Sequence, residues 1–206
     1  MRLICLDLEG VLVPEVWIAF SEVTGIPEFR RTTRDEPDYD KLMIYRIDLL
    51  AKHGLKLADI QKVIGTIDPL PGALDFVRAL KEKAQFVILS DTFDEFALPL
   101  MKKLDYPTLF CNSLEIGADG FIKKHCMRQQ NGKMQAVAAF KKLNIKVFAA
   151  GDSYNDLAMI KEADFGCLFR APSAIRENYP DLPCADDHGE FMKIIDSFLD
   201  GNTGRT

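Results

Sequence analysis

The chain is short of the residues on which zinc centres and acyl-transfer sites are usually built. Only three histidines occur in 206 residues, His53, His125 and His188. None stands at metal-ligand spacing from another, which argues against a histidine zinc site and a Ser-His-Asp mechanism. The five cysteines, Cys5, Cys111, Cys126, Cys167 and Cys184, are scattered and form no CxxC pair. An odd, dispersed set fits free buried thiols rather than a disulfide framework. No apolar run approaches the ~18 residues that cross a bilayer. The stretch Leu3-Ile4-Cys5-Leu6 behind the N-terminus is too short for a signal-peptide core, so a cytoplasmic location is expected. A basic excess is missing as well: 26 Lys and Arg stand against 31 Asp and Glu, for a net charge of −5. Neither nucleic acid nor a membrane is therefore an expected partner. Internal repeats and low-complexity tracts are absent too. If the chain does chemistry, carboxylates must carry it.

What remains is an ordinary globular composition, 48% hydrophobic and 28% charged, in a length that suits one domain or one with an insertion. Three short apolar runs end in polar clusters. Leu3-Ile4-Cys5-Leu6 stops at Asp7, Phe86-Val87-Ile88-Leu89 at Ser90, and Val147-Phe148-Ala149-Ala150 at Gly151-Asp152. Runs of this kind fit strands buried on both faces of a parallel sheet. Helical stripes separate them: Ala73, Phe76, Val77, Leu80 and Ala84; Ala136, Ala139, Phe140 and Leu143; Phe191, Ile194, Ile195 and Phe198. The alternation predicts an α/β fold with a Rossmann-like, doubly wound parallel sheet. Pro99 predicts a kink or late start in the helix after Ser90.

Residues 15–69 break the rhythm. Val16, Phe20 and Val23 are spaced as a helix, Lys41–Lys52 and Leu57–Ile64 give two more, and no strand pattern intervenes. The stretch closes on Asp68-Pro69-Leu70-Pro71-Gly72, a rigid connector. It reads as a small all-helical insert after the first strand, with 1–14 and 70–206 forming the α/β core. Arg30, Arg31 and Arg34 beside Asp35 and Glu36 read as a solvated loop, Trp17 and the phenylalanines as core. Leu114–Lys123, around Ala118-Asp119-Gly120, reads as a hairpin, and Gly201–Thr206 as a frayed tail.

Ligands of open α/β sheets bind at the carboxyl ends of the strands, where the polar clusters fall. Asp7-Leu8-Glu9-Gly10 offers two acids, Ser90-Asp91-Thr92 a hydroxyl and backbone N–H groups, and Gly151-Asp152-Ser153-Tyr154-Asn155-Asp156 a second acidic loop. Asn131-Gly132-Lys133 places one lysine at the start of a helical stripe. Together these describe phosphoryl transfer. Asp7 and Asp152 supply the hard oxygens that Mg²⁺ prefers, Lys133 offsets phosphate charge, a carboxylate nucleophile divides the reaction into two steps, and a second carboxyl handles the proton.

Asp7-Leu8-Glu9-Gly10, Ser90, Lys133 and the loop from Gly151 to Asp156 resemble, in order, the four motifs of the haloacid dehalogenase-like phosphotransferases. Within these the chain is most similar to the phosphoserine phosphatase family, and there to the phosphoserine:homoserine phosphotransferase type. The resemblance implies Asp7 as nucleophile and Glu9 as general acid/base. It implies Mg²⁺ held by Asp7, the Glu9 backbone carbonyl and Asp152, and a phosphoryl group held by Ser90 and Lys133. Asn155 would touch substrate, and Asp156 would orient Lys133 or a metal-bound water. The helical insert matches the family's cap, where Glu15 would meet the substrate ammonium, Arg46 its carboxylate, and Tyr39 falls at an aromatic position. The residues agree independently on Arg46: it shares a helical face with Met43, Ile47 and Leu50, and a guanidinium on an apolar face needs an anionic partner.

Two positions depart from the family pattern. Glu9 stands where the family usually has Asp, and Asp91 where its phosphoserine phosphatases usually have Gly. Asp91 is grouped with the substrate-binding residues, where its charge must point away from phosphate or meet an ammonium. Both departures point to an acceptor other than water, such as the homoserine hydroxyl. The resemblance implies Mg²⁺-dependent transfer from O-phospho-L-serine through an aspartyl-phosphate on Asp7 to homoserine, water or both, in serine or threonine biosynthesis, with a homodimer left open. Plain phosphoserine hydrolysis, or a small-molecule phosphatase of other specificity, is the alternative within the family. A receiver-type signalling module shares the acidic cluster, hydroxyl and lysine, but lacks the insert and the second acidic loop.

Overall fold

Leu3 to Leu6, Val87 to Leu89 and Val147 to Ala150 are buried along their whole length, because each run is covered on both sides. The computed structural model describes residues 1–33, 35–36 and 38–201; Arg34 of the expected solvated loop and residues 202–206 of the expected frayed tail lie outside them. In chain order the elements are β1 (Arg2–Leu6), α1 (Val16–Thr24), α2 (Tyr39–Lys52), α3 (Leu57–Ile64), α4 (Ala73–Lys83), β2 (Gln85–Phe93), α5 (Asp94–Lys103), β3 (Leu109–Ile116), β4 (Ile122–Cys126), α6 (Gly132–Lys142), β5 (Lys146–Gly151), α7 (Leu157–Glu162), β6 (Phe165–Phe169), α8 (Ser173–Asn178), β7 (Cys184–Ala185) and α9 (His188–Leu199). Short 3-10 turns occupy Pro27–Arg30 and Tyr154–Asp156.

The sheet runs β4-β3-β2-β1-β5-β6-β7. It is parallel except for β4, which returns antiparallel on β3 as the expected hairpin. Side chains alternate between its two faces. Ile4, Leu6, Ile88, Phe148 and Ala150 join the cluster that contains Phe76 of α4 and Phe191 of α9. Leu3, Cys5, Val87, Leu89, Val147 and Ala149 join the cluster of Ala136 and Val137 on α6 and Met159 on α7. The strand order reverses at β1, which lies between β2 and β5, so the carboxyl ends of β1 and β5 form the crevice where such sheets bind ligands.

Several expectations need correction. β2 does not stop at Ser90 but continues to Phe93, with its pairing to β3 shifted between Leu89 and Phe93. Strands β6 and β7 carry no signal strong enough to be read beforehand; the first is cut by Gly166 and the second has two residues. Val23 and Leu143, counted in apolar stripes, are 65% and 70% exposed, since each stands at the end of its helix beyond the packed turn. Arg31 is more than a solvated side chain: its carbonyl accepts from Arg46 Nη2 at 2.8 Å, while its own guanidinium meets Glu36 at 3.5 Å.

Pro99 lies inside α5, which starts late, after the extended β2. Proline has no N–H for the carbonyl four residues back. That carbonyl belongs to Glu95, and it accepts instead from Gln61 Nε2 of α3 at 2.7 Å. Gln61→Ala should therefore cost about 1 kcal/mol, a fall in melting temperature of roughly 3 °C for a chain of this size. An unchanged melting temperature would show that water replaces the amide without loss.

Between β1 and α4 the chain is helical apart from its connections. Its two ends are pinned together, because Leu70 N–H donates to the Leu12 carbonyl at 2.9 Å. His188, at the start of α9, spans the Val11 and Pro71 carbonyls at 2.9 and 3.2 Å.

Candidate active site

Asp7 is the first residue past β1, and its N–H donates to the Ala150 carbonyl of β5 at 3.0 Å. The sheet itself thus sets the first acid beside the third polar cluster. The chain then turns tightly, with Leu12 and Val13 N–H both donating to the Leu8 carbonyl and Gly10 N–H to that of Val13. Gly10 has φ +78°, and a Cβ there would lie 2.4 Å from the Asp152 carboxylate. Only glycine lets this turn press against the second acidic loop. Gly151 does the same on the other side, since its Cβ would fall 2.2 Å from Asp156.

Lys133, in the first turn of α6, is the hub. Its Nζ donates to Asp7 Oδ1 and Asp156 Oδ1, both at 2.8 Å, and Asp91 Oδ2 is 3.4 Å away. Burial works against its charge, but Asp156, Asp7 and Asp91 outweigh this and hold its pKa well above the usual lysine value. Asp156 is fully buried. Its Oδ2 accepts from the N–H groups of Asp152 and Ser153 and from Ser153 Oγ, each at 3.1 Å. Asp156 therefore fixes both the lysine and the loop bearing Asp152.

Three carboxyls of the site, those of Asp7, Asp152 and Glu9, have raised pKa values. Burial, then the charge of Asp156, raises the pKa of Asp7 despite Lys133. Burial, Asp156 and Glu15 push Asp152 up to about 7. Glu9 is pushed up to about 8, first by burial and then by Glu15, so at neutral pH it can hold a proton. Glu9 Oε2 also accepts the Val16 N–H at 2.9 Å. Helix α1 is thus capped by Glu9, while Glu15, its N-cap residue, makes no side-chain capping bond.

Mg²⁺ fits this set. Oxygens of Asp7, Asp152 and Asp156 lie within 4.8 Å of one another, all are hard donors, and the raised pKa values of Asp7 and Asp152 mark negative charge short of a counter-ion. Asp156 has both oxygens engaged, which leaves Asp7 and Asp152 as the carboxylates with donor capacity to spare.

A cavity of about 280 Å³ opens on this cluster, lined among others by Asp7, Glu9, Glu15, Trp17, Tyr39, Arg46, Ser90, Asp91, Lys133, Asp152 and Asn155. The structure thus gathers every site candidate around one space, with Asp156 just behind it. Ser90 Oγ accepts the Thr92 N–H at 3.2 Å, so its own hydroxyl proton can turn to a ligand. Asn155 Nδ2 donates to Asp91 Oδ2 at 3.1 Å. Tyr39 donates its O–H to the Asp91 carbonyl at 2.8 Å.

Arg46 forms the far wall. Its guanidinium lies 4.6 Å over the Trp17 ring, Nη2 bonds the Arg31 carbonyl, and its buried Nε has no partner among the described residues. Burial lowers its pKa to about 10. Trp17, read as core, is buried yet also lines the cavity. A tryptophan on an apolar helical stripe gives no signal that separates the two roles. His125 was also missed: from β4 it reaches Asp40 of α2 at 2.8 Å, a pairing across 85 residues of sequence.

Comparison with known proteins follows the same lines. The chain is 53% identical over 197 residues to a Pseudomonas aeruginosa protein named phosphoserine phosphatase ThrH, covering 94% of this chain and 96% of that one. It is 52% identical over 193 residues to a phosphoserine phosphatase of Pseudomonas syringae pv. tomato, covering 94% and 81%. Among solved structures, a phospho-aspartyl intermediate analogue of phosphoserine phosphatase shares the fold with a TM-score of 0.76, at 22% identity over 94% of this chain and 98% of that one. The family model described as haloacid dehalogenase-like hydrolase matches residues 1–164. Since that match runs from β1 past the Asp152 loop and takes in the whole cavity, the chain belongs to the haloacid dehalogenase-like hydrolases.

Proposed function

We propose that the chain is a phosphotransferase acting on O-phospho-L-serine, with homoserine and water as acceptors. The observation that carries this reading is that Asp7 with Lys133, and Arg46 with Glu15, face one small cavity. One end suits a phosphoryl group, and the other has a cation and an anion for the two charges of an amino acid. The 53% identical relative named phosphoserine phosphatase ThrH supports it.

In this reading a carboxylate oxygen of Asp7 attacks phosphorus while the seryl oxygen leaves and takes the Glu9 proton. Glu9 then removes a proton from water or the acceptor hydroxyl, which attacks the aspartyl-phosphate and restores Asp7. Ser90, Lys133 and Asn155 hold phosphoryl oxygens, and Asp156 keeps Lys133 aimed. Asp7, the Glu9 carbonyl and Asp152 would hold Mg²⁺, which would neutralise charge on the transferred group. Residues 15–69 act as the cap that keeps bulk water from the cavity. This reading places the activity in the cytoplasm, with the biosynthetic role it assigns. No helix among the described residues is long and apolar enough to cross a membrane.

Arg46→Ala should raise KM for phosphoserine by roughly 10- to 100-fold, the scale of a lost charge-assisted hydrogen bond, with a smaller effect on kcat. An unchanged KM would remove Arg46 from the substrate site. The activity is tested by incubating the protein with Mg²⁺ and O-phosphoserine, with and without homoserine, and following free phosphate and phosphohomoserine together. Phosphohomoserine formed at the expense of phosphate is the expected result. Phosphate alone would leave a hydrolase, and neither product would overturn the substrate assignment.

A further inference from the structure

Asp91 is an unusual neighbour for a phosphate site, and its contacts say what it does there. Lysine has three N–H donors. Asp7 and Asp156 take two of those on Lys133, and Asp91 Oδ2 lies 3.4 Å from the same nitrogen. The same oxygen accepts from Asn155 Nδ2 at 3.1 Å. A carboxylate oxygen thus sits where the proposed phosphoryl-binding donors converge. Asp91 is also freer than Lys133: its side chain is 31% exposed, against 6%. Its backbone is held, because the carbonyl accepts from Tyr39 Oη at 2.8 Å and Asn112 Nδ2 at 3.3 Å. Beyond it lies a second, larger cavity of about 1020 Å³, and Tyr39, Asp91, Lys133 and Asn155 line both spaces. The side chain therefore has somewhere to turn without moving the strand.

We infer that Asp91 competes with the phosphoryl group for the Lys133 and Asn155 donors, and swings toward the larger cavity when a phosphoryl ligand takes them. This rests on the reading of the cavity given above and adds a selectivity device to it. Every phosphoryl ligand must displace the carboxylate. A phosphorylated amino acid offsets that cost through the Arg46 end of the cavity, whereas inorganic phosphate has no second handle. Asp91 thus keeps free phosphate a weak ligand and a poor product inhibitor.

The test is phosphate binding to the Mg²⁺-loaded protein, by calorimetry, in wild type, Asp91→Asn and Asp91→Glu, alongside inhibition by L-serine. Asp91→Asn keeps an oxygen for Asn155 and loses the charge. It should bind phosphate about ten-fold tighter, with L-serine inhibition unchanged, while Asp91→Glu stays weak like wild type. A cavity that had merely loosened would weaken both ligands. The inference is overturned if Asp91→Asn binds phosphate no tighter than wild type, or if Asp91→Glu binds it as tightly as Asp91→Asn. If wild type turns over phosphoserine and phosphate affinity does not move, the inference alone fails. If wild type neither turns over phosphoserine nor binds phosphate, the functional reading fails and takes the inference with it.

Discussion

Asp7→Asn should lower turnover by on the order of 10⁴-fold or more, the scale seen when a nucleophile is removed, and leave the fold standing. The amide has nearly the same shape but cannot form an acyl-phosphate. The backbone bond from residue 7 to the Ala150 carbonyl is untouched, so the join of β1 to β5 survives. Stability should hold or rise slightly, because burial and then the charge of Asp156 disfavour the Asp7 carboxylate more than Lys133 favours it, and Lys133 keeps Asp156 as its counter-ion. Rapid-quench measurement of phosphoenzyme together with the melting temperature checks both halves. Substantial turnover by a folded variant would show that another group attacks phosphorus.

Lys133→Met should be the most damaging substitution to the molecule as a whole. The ammonium stands between Asp7 and Asp156 at 2.8 Å from each, and neither acid has another cation among the ion pairs of the described residues. Removing one partner of a buried ion pair costs about 3–5 kcal/mol, which in a chain of this length is a fall in melting temperature of roughly 10 °C. Activity should vanish with it, since the phosphoryl group loses its main cation. The deficit has a pH signature. With the lysine gone, the Asp7 pKa, already raised by burial and the charge of Asp156, moves further above its unfolded value. A group raised in this way binds its proton more tightly folded than unfolded, so the variant should recover stability as pH falls. A loss that is the same at every pH would mean that packing, not charge, holds the hub together.

How much of this was readable beforehand follows from where the physics is local. β1 and β5 are continuous apolar runs because both their faces are covered, and an acid follows directly on each strand. That pattern located Asp7 and Asp152. Ser90 was found, but the end of β2 was not: Ser90, Asp91 and Thr92 look like a turn, yet they stay extended because β3 pairs alongside as far as Asn112. Strand β7 was invisible, since two residues cannot show a period. The partners of single polar side chains were the least legible. Nothing near Gln61 announces that it caps a carbonyl freed by Pro99, and nothing near His125 points to Asp40. Such pairings depend on how distant elements dock, which one-dimensional spacing does not encode. Asp91 is the instructive middle case. The sequence exposed its oddity, and only the geometry showed that its charge meets Lys133 and Asn155.

The pinned ends of the helical insert bear on how fast the protein folds. Pairing β1 with β2 joins Leu3 to Gln85, a long search along the chain of the kind that slows sheet formation. The bond from Leu70 to Leu12 short-circuits most of that distance. Once it closes, the length of chain left between the two strands is less than a third of the original, and the entropy of bringing them together drops by roughly 1 kcal/mol. The pinned junction is thus a folding shortcut as well as a support, and His188 ties α9 to it. Helix α9 completes, through His188, the junction that lets β1 find its neighbour.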